Sequence, residues 1–346
     1  MKQEQEPAGD GVEEVGPGVL RVQLPIDMPG LGHVNTYLLL DDKGAAVVDP
    51  GLHNEASWDA LVARLKRADL RVKDVHTVLV THSHPDHYGG AGRLAEESGA
   101  EVATHAAFRI WWAPDPCDAH VHDVDPDDAH HADPYSGTTP WGTEGYGKDF
   151  RERVRKQAVD FRHPRPARRL RHGDTIELAG RPWTAVHTPG HTLDHLCLVD
   201  PEAGLLLSGD HVLPTITPHI SGMGTGRDPL KAFVESLERI AAVPEARTAL
   251  PAHGHPFTDV QERTTAIRRH HEERLDKLVR TLEAMAPDSA TVAELSHELF
   301  RSDHWGPMAE SETYAHLEHL RLRGDLVRGD DQGLMAYAAV TRTSPT

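Results

Sequence analysis

Four metal-ligating side chains fall within six residues in the run His82-Ser83-His84-Pro85-Asp86-His87, which continues Tyr88-Gly89-Gly90. Imidazole nitrogen and carboxylate oxygen are donors that divalent first-row metals take, and histidine is the commonest such ligand. His82 and His84 are alternate residues after the apolar run VHTVLV and can face one way. Asp86 and His87 belong to the turn that follows and can face a neighbouring point, so the geometry suits two adjacent metal ions. A His-rich surface loop would need no partners elsewhere, yet three further islands supply them. Thr188-Pro189-Gly190-His191-Thr192 ends a strand-like run in a tight turn that throws a histidine forward. Ser208-Gly209-Asp210-His211 follows the apolar run LLL and offers a carboxylate able to bridge two cations, and Pro251-Ala252-His253-Gly254 closes the set.

These islands need a scaffold that gathers them, and each sits at the end of a run with strand character. From Gly18 the chain reads as short β-rich runs, VLRVQLPI, VNTYLLL and AAVVD, bounded by Gly, Pro or Asp. Residues 54–70 place Trp58, Leu61, Val62, Leu65 and Leu70 near one helical face, and VHTVLV follows as a buried strand. A second helix (AGRLAEESG) and a strand (EVATH) continue the alternation, which predicts α/β layers with helices covering a sheet. Strands resume with DTIELAG, PWTAVHT, HLCLVD and GLLLSGD, then a helix from about Pro229 to Ala242 and the run TALPAHGH. Between the halves, residues 106 to about 168 carry Trp111, Trp112, Trp141, an Asp- and His-rich stretch and a polar helix candidate over 147–161. A connection that long is functional or disordered in most proteins, and it reads here as a partly helical lid.

In this set and order the motifs resemble those of the metallo-β-lactamase-fold hydrolases, over about residues 18–258. The resemblance implies an α/β fold, a four-layer αβ/βα metallo-β-lactamase sandwich with a dinuclear site at one edge. Carried over residue by residue, His82, His84 and His191 would hold the first metal, Asp86, His87 and His253 the second, and Asp210 would bridge. Asp86 and Asp210 are thereby the expected catalytic carboxylates, with two Zn²⁺ per chain as cofactor and iron or manganese as alternatives. Asp49, in the VVDPG turn, matches a frequent family acid and is expected to support the site rather than bind metal. The true β-lactamases of this fold lack the bridging aspartate and commonly use a cysteine ligand, whereas this chain has Asp210 and no cysteine beside a motif. The set is similar to the glyoxalase II-like branch, whose members include thioesterases, lactonases and phosphodiesterases. The implied reaction is hydrolysis of an ester, thioester or lactone by a zinc-bridged hydroxide, available because metal lowers the pKa of water from 15.7 to about 7. Two zinc ions with two carboxylates and that hydroxide leave a net positive site, which would draw an anionic or polarised acyl substrate. The alternatives are phosphodiester hydrolysis at the same site and a mononuclear-iron oxidoreductase resembling the persulfide dioxygenases. From a different class, the sandwich could be the ligand sensor of a DNA-binding or scaffold protein.

Length and composition frame these readings. At 346 residues and about 150 per domain, one large domain plus a smaller one is expected. We read 1–14 as a mobile tail, 15–258 as the catalytic domain and 259–346 as a charged helix followed by a small winged-helix-like domain. Within the last, Thr291-Val292-Ala293-Glu294 has a capping-box pattern, Ser311–Arg323 reads as a second helix, and LVRGDDQGLMAYA reads as a hairpin. A winged-helix-like tail is also found in a subgroup of the glyoxalase II-like branch. Residues 287–346 hold five arginines against ten acidic residues, so the tail suits packing or a homodimer surface better than DNA. The whole-chain net charge of −18 argues against a nucleic-acid or anionic-membrane partner. No apolar run approaches a membrane span, and the start MKQEQEPAGD lacks a secretory pattern, so a cytoplasmic location and a small-molecule substrate are expected.

Other residues invite a role with less support. His211, His219, Trp111 and Trp112 are candidates for lining the substrate pocket. His33 is expected to be structural, His270 and His271 exposed on a polar helix, the four histidines of 120–131 part of a solvated loop, and Cys197 a buried small side chain.

Overall fold

The computed structural model describes residues 2–110, 138–144, 152 and 160–340. The first sheet runs in sequence order: β1 (Val12–Gly16), β2 (Val19–Met28), β3 (Leu31–Asp41), β4 (Gly44–Val48), β5 (Val75–Leu79), β6 (Glu101–His105) and β7 (Pro166–Leu170). The second comprises β8 (Thr175–Leu178), β9 (Arg181–His187), β10 (Leu196–Asp200), β11 (Leu205–Gly209), β12 (Thr248–Pro251) and β13 (Phe257–Thr258), in the order 13-12-11-10-9-8.

The period-2 alternation of strand side chains decides how these sheets stack. Leu39, Val48 and Leu79 point between the sheets and meet Trp183, Leu198, Leu207 and Leu250. Their neighbours Leu38, Val47 and Val78 point outward, under α1 (Glu55–Arg67) and, beyond the short α2 (Pro85–Tyr88), α3 (Ala91–Ser98). On the far side, Cys197, Val199 and Leu206 pack against Leu230, Phe233 and Leu237 of α4 (Pro229–Ala241) and Ile267 of α5 (Val260–Met285). The result is the αβ/βα sandwich expected. Both faces of each sheet are covered, which is why strands such as β10 and β11 are apolar throughout.

Helix α1 starts where the Asn54 side chain accepts from the Ser57 amide at 2.8 Å. Its inward stripe is narrower than expected: Trp58, Leu61 and Leu65 are buried, while Val62 flanks the stripe and is 37% exposed. Leu70 lies past the helix end.

The C-terminal part follows the expected plan. Thr291 and Glu294 form the capping box that opens α6 (Val292–Leu299). A longer helix, α7 (Pro307–Arg323), precedes the hairpin of β15 (Leu326–Asp331) and β16 (Leu334–Ala339), turned at Gln332 and Gly333 with positive φ. The short β14 (Ala290–Thr291) completes a sheet in the order 14-16-15. Helix α7 buries Thr313, His316, Leu317 and Leu320, so it is a core element rather than an exposed reading helix. Its acids turn inward as well, with Glu318 accepting from the Tyr337 hydroxyl at 2.6 Å.

Two expectations are overturned. Residues 2–14 are ordered rather than a mobile tail: Gln3–Gln5 form a 3-10 turn and Val12–Gly16 is the edge strand on β2. Glu4 anchors the segment, its carboxylate accepting from the amides of Thr215 (2.8 Å) and Ile216 (3.1 Å) and from the Thr215 hydroxyl. These donors hold the Glu4 carboxyl below its ordinary range against the opposing effect of burial. His271 is fully buried, not exposed, and His270 is half-buried. His271 lies four residues from both Ile267 and Leu275 and therefore shares the stripe that α4 and α7 cover.

Most of the expected lid, including Trp111, Trp112, residues 120–131 and nearly all of 147–161, lies outside the described residues. The part that is described, 138–144, docks on the C-terminal elements: Trp141 is buried, donates Nε1–H to Glu310 at 2.7 Å, and accepts from the Met335 amide at 3.1 Å. Among the described residues no helix is long and apolar enough to cross a membrane.

Glu4→Ala should cost about 1 kcal/mol or somewhat more, because it removes the acceptor of two part-buried amides and a hydroxyl, and should lower the melting temperature. An unchanged melting temperature would return the amino terminus to the status of a loose tail.

Candidate metal centre

Strand direction brings the donors together. β4 and β5 are parallel neighbours, as are β11 and β12, so groups just past their C-terminal ends emerge at the same edge of the sandwich. Asp49 follows β4, His82 and His84 follow β5, Asp86 and His87 lie in α2, Asp210 follows β11 and His253 follows β12. His191 follows β9 through the Pro189-Gly190 turn. Gly190 has φ +135°, and a Cβ there would sit 2.4 Å from Cβ of Phe233. The trailing Gly-Gly of the first motif is also steric, since a Cβ on Gly90 would lie 2.4 Å from the Pro50 carbonyl.

Two ligand sets result, as the motifs imply. His82, His84, His191 and Asp210 each present one donor atom, all within 4.8 Å of one another, and Asp86, His87 and His253 do the same. Asp210 faces both sets. Its Oδ2 lies 3.5 Å from His191 Nε2, 4.0 Å from His82 Nε2 and 3.7 Å from His87 Nε2, and its Oδ1 lies 3.3 Å from His253 Nε2. Asp86 Oδ2 is 3.5 Å from His87 Nε2 and 3.4 Å from His253 Nε2.

Four of the five histidines are oriented through their other nitrogen. Nδ1–H of His191 donates to the His219 carbonyl at 2.7 Å, that of His253 to the His33 carbonyl at 2.6 Å, and that of His87 to Asp49 Oδ2 at 2.8 Å. His82 reaches the same carboxylate indirectly, its Nδ1 lying 3.1 Å from Thr81 Oγ1, which donates to Asp49 Oδ2 at 2.7 Å. Asp49 thus steadies one histidine of each set, and it does so from a left-handed φ of +54°. This pattern leaves Nε2 facing the site, the arrangement a metal-ligating histidine adopts.

The electrostatics fit cations. Burial opposes ionisation of Asp86, but His87 and His253 outweigh it and hold the carboxyl down at about 2. Burial likewise opposes ionisation of Asp210, and the same two histidines hold it well below the carboxylate range. Burial pushes His84 down to about 3 and His82 well below its ordinary value, keeping both neutral as ligands must be. Among the described residues, Nε2 of His87, His191 and His253 and Oδ1 of Asp210 are buried without a hydrogen bond. Buried polar atoms left unpaired are costly, and these converge on the two points a metal pair would fill. The donor set therefore fits two divalent cations.

Other candidates are placed differently. His211 is fully buried, its ring 5.0 Å from that of Phe233. His219 is partly exposed and bonds Glu312 rather than standing free. His33 is a structural residue, accepting the Gly254 amide on Nε2 at 3.2 Å. Cys197 is buried, and burial lifts its thiol to about 12. Sequence reasoning missed His195, whose Nε2 accepts the Asp210 amide at 3.1 Å. It also missed Asp194, which accepts from Ser83 at 2.9 Å and is raised to about 6 by burial. Their place four and three residues after His191 was the available signal.

With this geometry in hand, the comparisons with known proteins converge. The metallo-beta-lactamase superfamily model matches residues 29–280, and the chain belongs to that superfamily of metallo-hydrolases. A metallo-beta-lactamase family protein from Thermus thermophilus is 32% identical with a TM-score of 0.75, covering 94% of this chain and 100% of that one. An atrochrysone carboxyl ACP thioesterase from Passalora fulva is 26% identical over 298 residues, 84% of this chain and 70% of that protein. Hydroxyacylglutathione hydrolase GloC from Haemophilus influenzae is 27% identical over 183 residues, 51% of this chain and 65% of that protein. The chain spans 53–70% of the length of the fungal lactamase-like and thioesterase relatives it matches.

Asp49→Asn places an amide donor against the Nδ1–H of His87, and should weaken zinc binding by about 10- to 100-fold, as loss of outer partners of metal ligands does. Competition with a chromophoric chelator measures this. Wild-type affinity would remove Asp49 from the site's support.

Proposed function

We propose that this chain is a dinuclear zinc hydrolase of acyl thioesters and related esters. The observation that carries the reading is the Asp210 carboxylate, which faces the His82/His191 pair and the His87/His253 pair at once, from 3.3 to 4.0 Å. His82, His84 and His191 would hold one ion and Asp86, His87 and His253 the other, with Asp210 shared. When bound, the metal pair supplies the Lewis acidity that makes hydroxide available near neutral pH and polarises an acyl oxygen. The chain's own residues keep the carboxylates ionised, keep His82 and His84 neutral, and fix the imidazoles so that little reorganisation accompanies reaction. Thioesters are favoured among acyl substrates because the similar proteins include one named as a thioesterase and one as a hydroxyacylglutathione hydrolase. The acidic net charge of −18 favours a small acyl substrate over nucleic acid.

Elemental mass spectrometry on untagged protein purified without added metal should find two zinc ions per chain. Such protein should hydrolyse acyl-thioester substrates and lose that activity on chelation. One iron per chain, with oxygen-dependent turnover of persulfides, would replace this reading. Asp210→Ala should lose both metal content and turnover, and Asp86→Asn should cut turnover strongly. Wild-type hydrolysis by either variant would overturn the shared-carboxylate site.

A further inference from the structure

The partners that orient three of the metal-ligand histidines sit on or beside the first sheet. Asp49 follows β4, Thr81 follows β5, and the His33 carbonyl is on β3. His191 differs. Its orienting carbonyl belongs to His219, in the stretch between Asp210 and α4 that contains neither strand nor helix. An irregular segment does not fix a carbonyl to the tolerance a metal ligand needs unless something else holds it.

The first part of the segment is held by Glu4 on the Thr215 and Ile216 amides and by Arg263 of α5 on the Leu213 and Ile216 carbonyls, and residues 219–222 are held by α7. Ser311 Oγ accepts the Gly222 amide at 3.1 Å and lies 3.2 Å from Ser221 Oγ. Gly222 sits so close to this helix that a Cβ on it would be 2.7 Å from the Ser311 carbonyl. Glu312 Oε2 lies 3.3 Å from His219 Nδ1, and its Oε1 pairs with Arg274 of α5. Glu312 is only 7% exposed. The His219 and Arg274 partners hold its carboxyl ionised against the opposing effect of burial. Residues 311 and 312 also lie beyond the stretch 29–280 that the superfamily model matches.

We propose that Glu312, assisted by Ser311, is a positioning residue for the metal ligand His191, acting through residues 219–222, a role that rests on the metal-holding reading above. The C-terminal domain thereby completes the first ligand set. Glu312 also lies with His271 and His316 in a buried trio whose donor atoms are within 4.8 Å of one another. In that trio both Glu312 oxygens are engaged, Arg274 supplies positive charge and His271 Nδ1 lies 3.1 Å from His316 Nε2, while His271 Nε2 is buried without a hydrogen bond.

The test is a double-mutant cycle on zinc affinity, read by chelator competition on full-length protein and so independent of any substrate. Glu312→Gln keeps the size of the side chain, and His219→Ala keeps the backbone carbonyl that His191 uses. Each should weaken the binding of one of the two zinc ions by about 10-fold or more, and the double variant should be no weaker than the worse single one, since both break one path. The visible spectrum of the cobalt-substituted protein should shift in both variants. Folded variants with wild-type zinc affinity, or losses that simply add, would overturn the proposal even where melting temperatures fall. Ser311→Ala provides a milder check should Glu312→Gln fold poorly, and unchanged affinity there together with unchanged affinity in His219→Ala would also overturn it. A wild-type chain that binds no zinc would overturn the proposed function and this inference together. Two bound zinc ions with unaffected variants would overturn this inference alone.

Discussion

Asp86 and Asp210 are ionised carboxylates buried side by side, and a site of low dielectric tolerates that only against positive charge. Protonated His87 and His253 supply it when no metal is present, which is why both imidazoles are pushed up, His253 to about 10. Divalent cations would supply it better and would satisfy the buried nitrogens that otherwise lack partners. The rest of the architecture follows from having to collect these groups from distant parts of the chain while keeping their surroundings dry.

Two packed sheets meet that demand. Pairs of parallel strands in each sheet deliver loops to one edge, and the apolar interior built on Trp183, Leu39 and Leu79 excludes water behind them. Most donors follow a strand end by five residues or fewer, and Asp86 and His87 sit on the short α2 just beyond β5, so their positions inherit the rigidity of the sheet. Asp49 extends this rigidity sideways by holding His87 directly and His82 through Thr81. The close approaches at Gly90 and Gly190 let the loops pack where any side chain would collide with backbone or Phe233.

Where the sheets do not reach, other segments take over. The amino-terminal turn fastens Glu4 to the segment after Asp210, and α7 fastens the 219–222 segment beside His191. Glu310 on the same helix accepts from Trp141 and Thr143 of the long insertion. The C-terminal domain is therefore joined both to the metal-site loop and to the described part of the insertion. Its acidic residues serve these internal contacts, which explains a winged-helix-like outline with a buried, negatively charged second helix.

The sequence by itself marked the candidate metal donors and determined the layered fold. Seven donors sit in four short motifs, each beside a strand whose apolar pattern is local, and local patterns are readable because hydrophobic periodicity and turn chemistry act over a few residues. The capping box at Thr291 and the presence of the final hairpin were legible for the same reason, whereas its turn falls at Gln332-Gly333 rather than at a Gly and an Asp as expected. Tertiary structure alone decided what each remaining polar group meets. The burial of His271, the ordering of residues 2–14 by Glu4, the packing of His211 on Phe233 and the reach of Glu312 to His219 all depend on partners far along the chain, 93 positions away for Glu312 and 211 for Glu4. No local rule specifies such pairings; they exist because a buried polar group must find its partner among whatever the packed layers bring within about 3 Å.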